Sequence, residues 1–135
     1  MRRLKSRRGS VTIEFGFVAI IFFLLLFAMI DLSRAFFTLH DLAAAVREGA
    51  RFGAVLSDPV ADADQIRNVV KQFAISFGGS AVTDDEIDVV YDGDAGRLTV
   101  RINDYPFEFI VLPFGTINLT REAVFRYERA EIATG

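Results

Sequence analysis

The sequence predicts an α+β protein, in which a long N-terminal helix and a second short helix carry a small antiparallel sheet of about three strands. Three patterns support this fold class. Residues 15–30 form an apolar run without a charged side chain. An amphipathic pattern of helical period follows this run. Farther along, two segments of alternating apolar residues flank the turn residues 93–96, which is typical of a hairpin.

The apolar run predicts a transmembrane helix over residues 10–30. Extended back to Val11, it would cross a hydrocarbon core of about 30 Å at 1.5 Å per residue. It is apolar on all sides, whereas a helix in a soluble core would keep a polar face. Five of the fifteen basic residues lie in the preceding segment, residues 1–9, and none follows before Arg34. We therefore expect a cytoplasmic N-terminus and translocation of the rest of the chain.

A secretory signal peptide and an uncleaved signal anchor are alternatives for this segment. The run is longer than the apolar region of a signal peptide, about 7–15 residues, and no small-residue cleavage site follows it. These features disfavour a secretory signal, but they leave the uncleaved anchor open.

Glu14 lies four residues inside the extended apolar run. A carboxylate near the bilayer centre costs about 2.5–3.5 kcal/mol on insertion scales, so an intramembrane acid usually has a partner. Glu14 therefore either stays hydrated at the cytoplasmic interface or is compensated by another charge.

The residues around Glu14, RRGSVTIEF from position 7, resemble the processing motif of type IV prepilins. That motif has a basic leader, a glycine, a glutamate five positions later, an aromatic residue and a hydrophobic helix. The resemblance implies that a membrane prepilin peptidase cleaves between Gly9 and Ser10, so that residues 1–9 are the leader and Glu14 and Phe15 become mature residues five and six. The new ammonium on Ser10 could compensate Glu14 of a neighbouring subunit, and in low dielectric such a pair would fix the register between subunits.

Residues 31–56 are predicted to continue the helix, which should end near Gly53 after about 65 Å. We expect Arg47, Glu48 and Arg51 to form a solvated face, with a Glu48–Arg51 pair. Gly49 and Gly53 indicate close packing against another element, at some cost in helix propensity. The apolar stripe consists of Leu32, Ala35, Phe36, Leu39, Leu42, Ala43, Val46 and Ala50, and polar residues including Ser33, Arg34, Thr38 and Asp41 lie between them.

The segment VREGARFGA, which begins at Val46, lies about thirty residues after Glu14 and resembles TadE-like proteins. These are pilin-like proteins of the tight-adherence (Flp) pilus systems, in whose pilus subunits Tyr is common at the position of Phe15. The resemblance is strongest over residues 7–53 and looser thereafter. It implies a minor pilin or pseudopilin whose partners are the prepilin peptidase, other pilin subunits and the assembly platform. Because the major subunits resemble a bare helix, this longer chain resembles an accessory subunit.

Residues 57–135 are predicted to form a small extracytoplasmic α+β domain. Asp62 or Asp64 should cap a second helix that ends at residues 78–80. Residues 87–92 and 97–102 should form the hairpin, and residues 117–128 the third strand. Residues 106–115, which are very apolar, fit either a short helix or an irregular ridge. The apolar face of the second helix is predicted to contain Ile66, Val69, Val70, Phe73 and Phe77.

No residue pattern points to catalysis. The chain has no cysteine, and His40, its one histidine, lies on the predicted helix beside Asp41, where a surface or packing role is expected. The acidic residues between positions 84 and 94 match no EF-hand spacing, so we expect a solvated surface rather than a metal site. We therefore expect no enzyme activity, cofactor or small-molecule substrate.

The charge balance argues against nucleic-acid binding. Removal of residues 1–9 would leave ten basic side chains against eighteen acidic ones. The leading hypothesis is a pilin-like subunit of the inner membrane, with its C-terminal domain outside the cytoplasm. An uncleaved single-pass membrane protein that presents a binding domain is the alternative, and a soluble enzyme is disfavoured by the apolar run.

Overall fold

The computed structural model describes residues 8–74, 80–111 and 115–126, and its elements confirm the α+β fold class. Two helices precede one antiparallel sheet with the strand order β1-β2-β3. A single 3-10 turn, Asp84–Glu86, leads into the first strand. The elements are α1 (Arg8–Gly53), α2 (Ala63–Phe73), β1 (Ile87–Asp92), β2 (Arg97–Glu108) and β3 (Thr116–Arg126).

Helix α1 runs for 46 residues without a break from the apolar run into the domain. No proline interrupts it, and it ends at Gly53 as predicted. Within the described residues it is the one helix long and apolar enough to cross a membrane, and none of its apolar window is buried inside the protein. A core helix of a soluble protein would bury such a window, so the exposure indicates membrane anchoring.

The second half of α1 packs against α2 and one face of the sheet. Its buried residues follow one row at three- and four-residue steps, which places them on a single helix face. Strand β2 supplies the centre of the sheet side of this core. The buried residues include Leu42, Ala45, Val46 and Ala50 from α1, Ile66 and Val70 from α2, and Leu98, Val100, Ile102, Tyr105 and Phe107 from β2.

The stripe predicted for α1 is partly wrong. Thr38, which was assigned to the polar side, is buried, whereas Leu32 and Phe36 are exposed. At the membrane end of the domain, the covered row contains Ala35, Thr38 and Leu42. A three- and four-residue spacing fits two neighbouring rows of a helix equally well, so the sequence pattern did not separate the covered row from the exposed one.

Helix α2 buries Ile66 and Val70 as predicted, but Phe73 is 48% exposed, contrary to prediction. The helix ends at Phe73, so this side chain lies at the end of the contact with α1. Asp62 is the N-cap residue, although its carboxylate accepts a hydrogen bond from the Gln65 side chain (2.8 Å) rather than from the backbone. Phe77 and the predicted stop at residues 78–79 lie outside the described residues.

The predicted hairpin is present, and β2 continues beyond it. Ile87, the first residue of β1, pairs with Ile102, and beyond Ile102 strand β2 pairs with β3 alone as far as Glu108. The register shifts between Ile102 and Tyr105, and Asp104 has a positive φ of 51°. This bulge inserts one residue, which moves the buried side chains from even to odd positions.

The structure also defines part of the segment 106–115, which the sequence left open between a short helix and an irregular ridge. Pro106, Phe107 and Glu108 are strand residues, and Pro106 pairs with Asn118. Proline cannot donate to a ladder and is therefore confined to strand edges. It is accommodated here because β1 does not extend along this part of β2, so Pro106 has a neighbouring strand on one side only. Residues 112–114 lie outside the described residues.

Candidate membrane-boundary and assembly site

The residues predicted for processing and subunit pairing lie at the beginning of α1. The bond between Gly9 and Ser10 falls in the first turn of the helix, and Ser10, Glu14 and Phe15 are exposed. Within the described part of the chain, the Glu14 carboxylate makes no hydrogen bond or ion pair. A charge in lipid usually has a partner, and the described side chains of this chain supply none for Glu14.

Gly49 and Gly53 lie where α1 meets α2 and β2. A Cβ atom on Gly49 would overlap the Val70 side chain, and one on Gly53 would lie 2.5 Å from Leu98 Cδ2 and 2.7 Å from Ile66 Cδ1. Both distances are shorter than van der Waals contact. The two glycines therefore allow α2 and the sheet to approach the α1 backbone closely, which offsets their low helix propensity.

Asp31, the first charged residue after the apolar run, was not identified from the sequence as a functional residue. Its side chain is only 1% exposed, although the apolar residues before it on the same helix are exposed. Its Oδ1 accepts a hydrogen bond from the Ile110 N–H (3.2 Å), and Oδ2 accepts one from the Val111 N–H (2.7 Å). The Asp31 carboxylate thus connects the segment that follows β2 to α1 at the end of the apolar run.

Arg34 completes this attachment. Its Nη1 lies 3.3 Å from Asp31 Oδ1, one helical turn along α1. The same guanidinium lies 5.3 Å from the centre of the Phe107 ring, and Phe107 meets Phe109 edge to face. The cation is therefore neutralised by Asp31 and covered by an aromatic face, an arrangement suited to low dielectric. We call Asp31, Arg34 and the segment Phe109–Val111 the boundary clamp.

One feature of the sequence is consistent with the boundary clamp. Asp31 and Arg34 have the i, i+3 spacing of a helical ion pair and immediately follow the apolar run. The partners of Asp31 on the domain are backbone N–H groups, however. Almost every residue type has such a donor, so residue identity does not indicate which one binds Asp31. The contact also spans about eighty positions, which no local pattern reports.

The predicted Glu48–Arg51 pair is present on the solvent-facing side of α1. Arg51 Nε donates to Glu48 Oε2 (3.1 Å), and Arg51 Nη2 contacts Glu48 Oε1. The hydrogen bond from Arg51 lowers the pKa of Glu48, and the same bond raises the pKa of Arg51. This pair differs from the boundary clamp because water reaches it and no other element depends on it.

His40 and the acidic residues of the domain lie at the surface. His40 is exposed on α1, beside a groove that also contains Phe36 and Arg121. Lys71 Nζ lies 2.7 Å from Asp84 Oδ1, and Glu86 accepts a hydrogen bond from the Thr83 N–H (2.8 Å). In residues 8–74, 80–111 and 115–126, no three His, Cys, Asp or Glu side chains are grouped so that they could hold a metal ion.

The fold and this site define a class: a membrane-anchored protein whose single apolar helix continues directly into a small α+β domain. The model of one family, described as TadE-like protein, matches residues 9–51. That segment begins at Gly9 and covers nearly all of α1, including Glu14 and the VREGAR sequence. The match confirms the resemblance to TadE-like proteins over this segment, and it does not extend to the looser resemblance downstream. No curated protein and no solved structure matches the chain.

Residues 9–51 are therefore similar to TadE-like proteins, and the exposed apolar helix indicates membrane anchoring.

Proposed function

We propose that this protein is a pilin-like assembly subunit, a minor pilin or pseudopilin, of a tight-adherence type IV pilus. A prepilin peptidase removes residues 1–9, α1 stays in the inner membrane with its N-terminus at the cytoplasmic side, and the domain faces outward. Its role is structural rather than catalytic. The observation that carries the proposal is a single helix that joins a processing motif, an exposed apolar surface and a packed domain without a break.

Glu14 is the residue through which neighbouring subunits pair. In this chain the carboxylate projects from the apolar part of α1 and is exposed. Cleavage after Gly9 would create an ammonium on Ser10, four residues away on the same helix end. Between neighbouring copies, shifted along their axes, that ammonium and Glu14 can pair, and the pair is strong where water is excluded. An unprocessed chain lacks this cation.

The exposed side of α1 beyond Asp31 supports packing against other subunits. Leu32, Phe36 and Phe37 are exposed on the side of the helix that the domain leaves uncovered. They extend the apolar surface of the membrane run toward the domain. Apolar surface of this kind is buried in the lipid, against another subunit helix, or partly in each.

The first test is the mature N-terminus. Protein isolated from cells that are making tight-adherence pili is analysed by intact mass and N-terminal sequencing. We expect a chain that begins at Ser10, because the peptidase cuts after Gly9. A chain that still begins at Met1 would overturn the proposal and favour the uncleaved single-pass protein with a binding domain.

The second test is the substitution Glu14→Gln, with Glu48→Gln as a matched control on the same helix. Glu14→Gln removes the charge that would meet the Ser10 ammonium, but keeps the size of the side chain. We expect normal membrane insertion and normal cleavage with loss of pili, whereas Glu48→Gln should assemble normally. Normal pilus number in Glu14→Gln cells would contradict the role given to Glu14.

A further inference from the structure

Around the end of the apolar run, charged side chains are buried or part-buried and apolar side chains are exposed. The charged side chains of Asp31 and Arg34 point inward, and Asp31 is almost fully buried. Large apolar side chains near them are exposed. Ile110 is 73% exposed, Val111 is 42% exposed, and Phe37 is 62% exposed. A surface that meets water would place these groups the other way round.

This arrangement fits lipid as the surrounding medium. The segment Phe109–Val111 lies at the level of Asp31 because two of its N–H groups donate to that carboxylate. These donors and the Asp31 carboxylate satisfy one another, which hydrocarbon requires of every polar group. At the same level on α1, a groove is lined by Leu26, Met29, Ile30, Ser33, Arg34 and Phe37. Its apolar surface is continuous with that of the membrane run.

The length of the apolar surface agrees with this placement. From Phe15 to Phe37, α1 extends for about 35 Å at 1.5 Å per residue. A hydrocarbon core is about 30 Å thick, and a longer apolar helix is accommodated by tilt. The charges at Asp31 and Arg34 do not end the span, because the domain shields them. Without the segment Phe109–Val111, both charges would face lipid.

We propose that the segment Phe109–Val111 enters the outer leaflet of the membrane, where it covers the Asp31–Arg34 pair and inserts the side chains of Ile110 and Val111 among the lipids. The lipid-facing surface of α1 then runs to Phe37, and the domain rests on the membrane rather than standing clear of it. This inference requires the membrane-spanning helix of the proposed function, but it requires neither cleavage after Gly9 nor pairing at Glu14.

The chain has no cysteine, so single cysteines can report depth without other changes. The full chain is purified, labelled with a nitroxide at one position, and reconstituted in phosphatidylethanolamine–phosphatidylglycerol vesicles. Collision of the label with oxygen, which concentrates in lipid, is compared with collision with a water-soluble nickel complex. The test positions are Ile110→Cys and Phe37→Cys. Phe22→Cys is the lipid control, and Val90→Cys, on the exposed face of the sheet, is the water control.

We expect labels at 110 and 37 to resemble the label at 22, with a ratio of oxygen to nickel collisions severalfold higher than at 90. A label at 110 that matches the one at 90 would overturn the proposal. So would a label that is open to nickel in vesicles and protected only in assembled pili, because the partner of the segment would then be another subunit. Because vesicles of the purified chain contain no pili, failure of the assembly proposal leaves this measurement unaffected.

A second variant tests the shielding of the charged pair. Ile110→Glu places a carboxylate where we expect lipid and should draw the segment toward water. The label at 37 should then become severalfold more accessible to nickel. Val90→Glu, the same kind of substitution on the sheet face, should leave it unchanged. An equal response to the two variants, or none to either, would contradict the shielding role of Phe109–Val111.

Discussion

Asp31 provides a sharp test of how the domain is held on α1. In Asp31→Ala, the N–H groups of Ile110 and Val111 and the Arg34 guanidinium all lose an acceptor. A buried donor left without a partner costs about 1–3 kcal/mol, and removal of one partner of a buried ion pair costs about 3–5 kcal/mol. These costs overlap because the three donors share one carboxylate, so they do not add.

Partial relief further limits the magnitude. Arg34 is only part-buried, so water at the micelle surface can reach some of the freed donors. We therefore expect a loss of about 3 kcal/mol in the free energy of unfolding. Asp31→Asn keeps one acceptor oxygen but presents an NH2 group to the other donor, and we expect it to cost about half as much.

The assay is urea unfolding of the full chain in detergent micelles, followed by near-ultraviolet circular dichroism, to which the buried Tyr105 contributes. With a slope of about 1–3 kcal/mol per molar urea, a loss of about 3 kcal/mol lowers the midpoint by about 1–3 M. The control is Glu48→Ala, because Glu48 also has an arginine three residues later on α1 but faces solvent. Hydrogen exchange at Ile110 and Val111 should be faster in Asp31→Ala.

Equal midpoint shifts in Asp31→Ala and Glu48→Ala would refute this reasoning. Such a result would mean that the Asp31 carboxylate contributes no more than a surface ion pair. Unchanged exchange at residues 110 and 111 would contradict the two hydrogen bonds themselves. The two measurements are independent, since exchange reports local opening and urea reports the whole domain.

Two further predictions concern the contact between α1 and the domain. Gly49→Ala should lower the free energy of unfolding by about 1 kcal/mol. Overlap with Val70 destabilises the variant by about 1–3 kcal/mol, and the higher helix propensity of alanine stabilises it by about 1 kcal/mol. Gly16→Ala, whose Cβ would have no neighbour within 4 Å, should cause no loss, and equal urea midpoints for the two variants would contradict the packing role. Thr38→Val should raise the free energy by about 1 kcal/mol, because the buried Thr38 hydroxyl has no hydrogen-bond partner within the described residues. Thr38→Ser keeps the hydroxyl and loses a methyl group, so a valine variant no more stable than the serine variant would show that the hydroxyl is satisfied.

The course of α1 and the hairpin could be predicted because both depend on local patterns. Residues 15–30 are apolar on every side, and Gly53 ends the helix where the stripe ends. Alternation on both sides of residues 93–96 fixed the strands, and the observed register pairs Tyr91 with Leu98 and Asp92 with Arg97. In each case the side chains that carry the pattern are neighbours in sequence, so their spacing reports the structure directly.

The features that sequence patterns did not predict depend on distant or backbone groups. The bulge at Asp104 changes the phase of β2, so the buried residues before and after it do not fit one alternating pattern. In the sequence, Asp31 is the first charged residue after the apolar run. In the structure it is buried by a segment about eighty positions away. The exposed row on α1 has the same period as the buried row, and only the position of the domain distinguishes them.

The boundary clamp affects assembly because it leaves no flexible connection between the membrane helix and the domain. From Asp31 to Gly53 the domain is attached along α1 by the clamp at one end and by the two close glycine contacts at the other. Glu14 lies only about 25 Å from Asp31 along the same unbroken helix. If pairing at Glu14 sets the axial register of neighbouring helices, the same register is imposed on their domains. Weakening the clamp would therefore leave the helices in register and free the domains, whereas loss of Glu14 would release both.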